Sequence, residues 1–373
     1  MKKYLLSGLL LAAGLAYAGA ASAQVKIGVA GPITGPNASF GAQLVQGTTQ
    51  AAADFNKSGG ILGQTITVEQ GDDVSDPKQG VSVANKFVGD GVKLVVGHFN
   101  SGVTIPASEV YADNGILMIT PSATNPKVTT RGLWDVFRTC GTDEQQGRLW
   151  ADLALGKLKD AKIAIVHDKT TYGKGLADFA KGFMNAGGKK EVLYEGVNTG
   201  EKDYSAIVSK IKASGAEYLM WGGLHTEGGL IIRQMRDQGM KTIMISGDGI
   251  TDAEFASIGG PGVEGTLMSF PPDPRNDPGA KDIVAEFKAK GFEPEGYTLF
   301  SYAAMQVMKE AAEQVKAIDP KKMAEYMHSG ATFKTVIGDI SYDKKGDLGK
   351  VAYVWYVWEK GADGKINYVQ QKS

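Results

Sequence analysis

Two consecutive series of short β-branched runs, each alternating with amphipathic stretches, constrain this 373-residue chain more than any other feature of its sequence. That alternation is the pattern of βαβ units, in which a helix covers each step between parallel strands. The first series opens at Lys26-Ile27-Gly28-Val29-Ala30 and continues with a helix from Gly41 to Lys57, closed by Gly59-Gly60, and a strand from Ile66 to Glu69. Asp76-Pro77 supplies an N-cap and a first-turn proline for a helix running through Val88. Strands at Lys93 to Gly97 and Ile116 to Thr120 flank a helix that begins near Ser101. The second series opens at Lys162 to Val166. It continues with a helix from Gly173, a strand from Val192 to Tyr194, a helix capped by Asp203, a strand from Glu217 to Trp221, a helix from Glu227 and a strand from Thr242 to Ser246. The expectation is an α/β protein of two doubly wound, Rossmann-like lobes.

Phe270-Pro271-Pro272-Asp273-Pro274 then interrupts the pattern, because proline continues neither a central strand nor a helix, and so suits a crossover between lobes. Helices are expected at Lys281 to Lys290, Tyr297 to Val315 and Lys321 to His328. The last strand, Val351 to Trp358, is apolar on both faces and is expected to be buried.

Charge narrows the function. With 40 Lys+Arg against 41 Asp+Glu the net charge is −1, and no basic face offers a footprint for nucleic acid. The first residues read as a signal peptide: Met1-Lys2-Lys3 is basic, Tyr4 to Ala20 is apolar, and Ala21-Ser22-Ala23 is a small-x-small cleavage site. Cleavage of residues 1–23 removes Lys2 and Lys3, which takes the net charge from −1 to −3. Gln24 rather than cysteine follows the cut, so no lipid anchor is expected and the mature chain should be free in its compartment. Cys140 is the single cysteine, which excludes an intramolecular disulfide.

Enzyme signatures are missing: there is no G-x-x-x-x-G-K-[ST], complete G-x-G-x-x-G, H-E-x-x-H or G-x-S-x-G. His98, His167, His225 and His328 lack metal-ligand spacing, Asp72-Asp73 with Asp76 lacks the rest of a calcium loop, and neither a metal nor a cofactor is expected. The chemistry gathers at strand ends, where doubly wound folds bind ligands. Gly97-His98-Phe99-Asn100-Ser101 and Thr120-Pro121-Ser122-Ala123-Thr124 offer hydroxyls and amides. Ser101 at a helix start suits a carboxylate, through its hydroxyl and the free first-turn N–H groups, although capping by Ser101 and a Ser/Thr turn at 122–124 fit the spacing equally. Asp248, between Gly247 and Gly249, suits an ammonium group. Together these ends describe a clamp for a zwitterion. The 50 glycines are about twice the usual share, and those at 97, 222–223 and 247–249 are expected to let backbone approach the ligand.

An ordered set of segments, Gly31-Pro32-Ile33-Thr34-Gly35-Pro36, Asp76-Pro77-Lys78-Gln79, Gly97-His98-Phe99-Asn100-Ser101, Gly115 to Pro121, Ile165 to Lys169 and Tyr172-Gly173, resembles the periplasmic leucine/isoleucine/valine-binding proteins. These are the type I solute receptors of amino-acid ATP-binding-cassette (ABC) importers. The resemblance covers the whole mature chain. It implies a Venus-flytrap of two lobes joined by three crossings, near 138–141, 270–274 and 347–350. Residues 24–139 plus 274–347 would form one lobe, and 140–273 plus 348–373 the other. It also implies a monomer that carries a small neutral amino acid to an inner-membrane permease and its ATPase subunits. By the same resemblance Ser101, Ser122 and Thr124 hold the ligand carboxylate and Asp248 its ammonium. Phe40, Phe99, Asn100, Tyr172, Leu224 and Tyr297 wall the pocket. Three departures, Leu224 for Tyr, Asp248 for Glu and Phe99 for a smaller residue, point away from strict branched-chain specificity and toward smaller ligands or 4-aminobutyrate. Ser75 and Asn100 replace the usual disulfide. The competing expectations are a receptor of the same fold for amides, urea or aromatic acids, a sensory receptor, and an exported α/β hydrolase.

Overall fold

The computed structural model describes residues 24–372, so the signal-peptide reading lies outside the described residues. The first series forms β1 (Gln24–Gly31), α1 (Ala38–Lys57), β2 (Thr65–Asp72), α2 (Pro77–Gly89), β3 (Leu94–Val96), α3 (Ser101–Asp113), β4 (Leu117–Thr120) and β5 (Val136–Arg138). Its five strands run parallel in the order β2-β1-β3-β4-β5. Asp76 caps α2 as its sequence indicates, accepting from the N–H groups of Lys78 and Gln79, with Pro77 in the first turn.

The second lobe begins at α4 (Asp143–Leu155), which Thr142 and Gln145 start with a reciprocal capping box. It continues through β6 (Ile163–His167), α5 (Thr171–Ala186), β7 (Leu193–Gly196), α6 (Ser205–Ser214), β8 (Tyr218–Gly222), α7 (His225–Asp237), β9 (Ile243–Ser246), α8 (Glu254–Gly259) and β10 (Leu267–Phe270). Asp203 stands two residues before α6, where it accepts from the N–H of Ser205 while Tyr204 holds the cap position. Helix α7 starts at His225, two residues earlier than its sequence suggests.

The chain then returns to the first lobe with α9 (Lys281–Ala289), α10 (Thr298–Val315), α11 (Pro320–His328) and the hairpin β11 (Thr332–Thr335) and β12 (Gly338–Ser341). Phe287, Leu299, Met305 and Met323 from these helices close a core against Ile27, Leu94 and Ile119 of the first sheet. Finally β13 (Val354–Lys360) and β14 (Ile366–Gln370) join the second sheet, whose order is β14-β13-β10-β9-β8-β6-β7.

Strand β13, expected to be the last strand, departs from that expectation. It begins at Val354 rather than Val351, runs antiparallel, and buries Tyr356 and Trp358 while Val354, Trp355 and Val357 are only half-buried. As the penultimate strand of an antiparallel edge, it can leave one face partly wet. Backbone thus passes between the sheets three times. Two passages are tied together: Arg138, wholly buried, lies 2.7 Å from the Asp347 carboxylate, and the N–H of Arg138 donates to the carbonyl of Gly346.

Both sheets change winding direction beside their first strand, between β1 and β3 in one and between β6 and β8 in the other. Each switch point leaves a crevice at the carboxyl ends of its strands. Phe40 and Phe99 of the first lobe belong to one apolar cluster with Tyr172 and Leu224 of the second, so the two crevices face each other.

Candidate functional site

A small pocket lies between the two switch points. The first lobe contributes Phe99, Asn100, Ser101, Ser122 and Tyr297; the second contributes Tyr172, Leu224, Asp248 and Gly249. Strand β3 ends at Val96, three residues before Phe99, so the turn into α3 carries Phe99, Asn100 and Ser101 to the cavity together. Two expected residues stand elsewhere. Phe40 lies behind the lining, stacked on Phe99 with ring centroids 4.5 Å apart. Thr124 is fully buried, its hydroxyl has no partner, and it is not part of the lining.

One end of the cavity is a donor surface. Asn100, not Ser101, is the N-cap residue of α3, so Ser101 is the first helical residue and the open N–H groups of that turn point out of the helix end. Ser101 Oγ accepts from the N–H of Asn125 at 3.2 Å, which leaves its own proton free to donate. Ser122 Oγ donates to the carbonyl of Phe99, which braces the turn. The capping alternative for Ser101 is thereby set aside: its side chain serves the loop opposite.

The other end is an acceptor. Asp248 opens a short 3₁₀ turn, Asp248–Ile250, just after β9, and is 1 % exposed. Its Oδ1 accepts from Tyr172 OH at 2.8 Å, and that hydroxyl in turn accepts from the N–H of Gly249 at 2.9 Å. Oδ2 has no partner. Burial, the leading influence, pushes the Asp248 carboxyl above the usual carboxylate range despite the hydrogen bonds around it. An unpartnered, desolvated carboxylate oxygen is costly unless a cation joins it.

Other buried acids share this situation. Burial raises Asp143 to about 8, and Asp135, Asp168 and Glu295 to about 7 each. A carboxyl whose folded pKa is raised holds a proton that the unfolded chain has already lost, so raising the pH between the two values favours unfolding. The ligand-free protein is expected to lose stability steadily from about pH 4 to about pH 8. Thermal midpoints measured across that range check this, and a midpoint that rises toward pH 8 would contradict it.

Sequence reasoning missed the residues that hold the lobes together. Gln43, on α1 and 2 % exposed, accepts from the N–H of Tyr297 at 2.8 Å and donates to Asp252 Oδ2 at 2.9 Å. It therefore links a wall of the cavity to the second lobe. Thr226 Oγ donates to the carbonyl of Pro36 at 3.2 Å, and Asn125 Nδ2 donates to the carbonyl of Thr171 at 3.0 Å, so further bonds cross the cleft. A polar residue on the core face of α1 is the signal that would have exposed Gln43. Substituting Gln43→Leu is expected to weaken ligand binding about tenfold, since it leaves the Tyr297 N–H and one Asp252 oxygen without partners. Calorimetric titration checks this, and unchanged affinity would show that the bridge does not favour closure.

The glycines behave differently from expectation. A Cβ on Gly97 would stand 2.2 Å from the carbonyl oxygen of Ala30, and one on Gly222 would stand 2.2 Å from the carbonyl oxygen of Gly173. These positions let backbone pack on backbone. Of the strand-end set, only Gly249 lines the cavity, and its neighbours are Tyr172 and the carbonyl of Gly223.

Residues 24–363 match the model of the periplasmic binding proteins. The chain belongs to that family. It is 58% identical over 371 residues to a Leu/Ile/Val-binding protein homolog of Brucella melitensis, with all of both chains covered. It is 52% identical to an amino acid binding protein of Pseudomonas aeruginosa over 342 residues, 91% of each chain. The crystal structure of a leucine-binding protein from Thermotoga maritima superimposes with a TM-score of 0.83 at 28% identity, covering 92% of this chain and 97% of that one. A periplasmic binding protein is a solute receptor, not an enzyme, which disposes of the hydrolase reading. No helix among the described residues is long and apolar enough to cross a membrane.

Proposed function

We propose that this protein binds a small neutral aliphatic amino acid between its lobes and delivers it to an ABC importer. The observation that carries the reading is the unpartnered Oδ2 of the buried Asp248, which lines one pocket with Ser101, the first residue of α3. The ammonium group of the ligand fills the first need, and its carboxylate takes the hydroxyl of Ser101 and the first-turn N–H groups, in the favourable field of the helix end. A ligand without a cation would leave the buried Asp248 uncompensated, which counts against aromatic acids, amides and urea.

Phe99 is held in place by Phe40 behind it and Tyr297 at 5.6 Å beside it, so the wall near the side-chain end is stiff and the ligand small. Alanine, valine, proline and 4-aminobutyrate fit this description along with leucine and isoleucine. The names of relatives, which specify leucine, isoleucine and valine, agree with the class. In this reading the chain is exported by its first 23 residues and works as a periplasmic monomer. Residues 24–139 plus 274–347 and 140–273 plus 348–373 close on each other by hinge motion, and the closed form meets the permease and its ATPase subunits. Isothermal titration against the neutral amino acids tests the core of this proposal. Saturable binding of at least one is expected, and failure of all of them would end it.

A further inference from the structure

We propose that His225, Asp252 and Glu254 form a binding site for one divalent metal ion of the zinc class, at the mouth of the cleft and separate from the amino-acid cavity. One nitrogen or carboxylate oxygen from each residue lies within 4.8 Å of the other two. His225 Nε2 and Glu254 Oε2 are already 3.1 Å apart. Two ligands of a tetrahedral zinc ion, with bonds of about 2.0 to 2.1 Å, stand about 3.3 Å apart, so this pair matches an edge of the coordination shell. Only the Asp252 carboxylate has to move inward to complete three protein ligands, with water in the fourth place.

Two independent observations point to a cation here. Among the described residues, no lysine or arginine lies within ion-pair distance of Asp252 or Glu254, although Asp252 is 4 % exposed. The surroundings are also built as a support. Asp252 Oδ2 accepts from Gln43 Nε2 and Oδ1 accepts from the N–H of Glu254, which orients the carboxylate and leaves lone pairs on both oxygens. His225 is fully buried and packs edge-on against Phe40 at 4.9 Å, so its ring is held. Glu254, with its side chain 53% exposed, gives the ion a way in. All three ligands come from the second lobe, whereas Gln43 reaches them from the first. The ligands stand 27 and 29 positions from His225, which is why no spacing motif announces them.

The test uses the untagged protein, titrated with zinc chloride in calorimetry and with cobalt chloride followed by visible absorption. One equivalent of zinc is expected to bind, and cobalt to show the intense bands of a low-coordinate nitrogen–oxygen site. His225→Gln removes a ligand from the interior. Glu254→Gln removes one from the surface with little risk to folding and is expected to weaken zinc binding by about tenfold or more. Absence of saturable binding, or binding that both variants retain unchanged, would overturn the proposal. Because the readout is the metal alone, it stands or falls apart from the amino-acid reading.

Discussion

Asp248→Asn is expected to abolish useful amino-acid binding while leaving the empty protein at least as stable as before. The amide keeps the size of the carboxyl group and can still accept from Tyr172 OH, which bonds Oδ1 at 2.8 Å. What disappears is the charge that faces the ammonium group in a buried site. Removing one partner from a buried, hydrogen-bonded ion pair costs about 3 to 5 kcal/mol, so affinity should fall by about two to four orders of magnitude. Stability moves the other way. With no ligand present, Asp248 keeps an unpartnered oxygen in a wholly buried position, and burial has raised its pKa accordingly. Replacing it by a neutral group removes that desolvation penalty. Calorimetry and thermal melts of the ligand-free protein measure the two effects separately. Affinity retained within about threefold would refute the role of Asp248, since the loss of a buried charge cannot be that cheap.

The same residue shows how far a sequence can be read. Two series of alternating strands and helices are legible because period-2 and period-3.6 patterns follow from local geometry. Asp248, Ser101, Ser122 and Tyr172 were found at strand ends or by family resemblance, and all four line the cavity. The sequence reading passes over strands β5, β10, β11, β12 and β14 and helices α4 and α8. Of these, β5 is three residues long, and β11, β12 and β14 belong to a hairpin and a sheet edge, where short strands carry too little period to be seen. Helix α4 was readable in principle, because Thr142-x-x-Gln145 is a capping-box signature. Gln43 and Asp252, 209 positions apart, have meaning only once the lobes face each other. Likewise Phe40 had the right type but the wrong layer: its ring supports Phe99 from behind, a distinction only packing can make.

Gly97→Ala is expected to damage folding far more than binding, the reverse of what its place at a strand end suggests. Gly97 has φ of +134°, a conformation that residues with a Cβ adopt at a cost of about 1 to 3 kcal/mol. A Cβ there would also stand 2.2 Å from the carbonyl oxygen of Ala30 in the neighbouring strand, and relieving such an overlap costs a further ~1 to 3 kcal/mol. Against a total stability of about 5 to 15 kcal/mol, the combined loss should lower the thermal midpoint by about 10 °C or prevent accumulation of the protein. Gly59→Ala is the internal control. It has φ of +101° but open space around the Cβ, so only the backbone penalty applies and a smaller loss should result. Whatever Gly97→Ala protein does fold should bind its amino acid within about threefold of the parent, because Gly97 does not line the cavity. Its task is to let the chain turn tightly after β3, past Ala30, so that Phe99, Asn100 and Ser101 arrive at the cavity wall with the α3 N-terminus directed inward. A variant that melts normally yet binds poorly would return Gly97 to the ligand. Strand-end glycine in this fold otherwise serves the close passage of backbone past backbone, on which the site is then built.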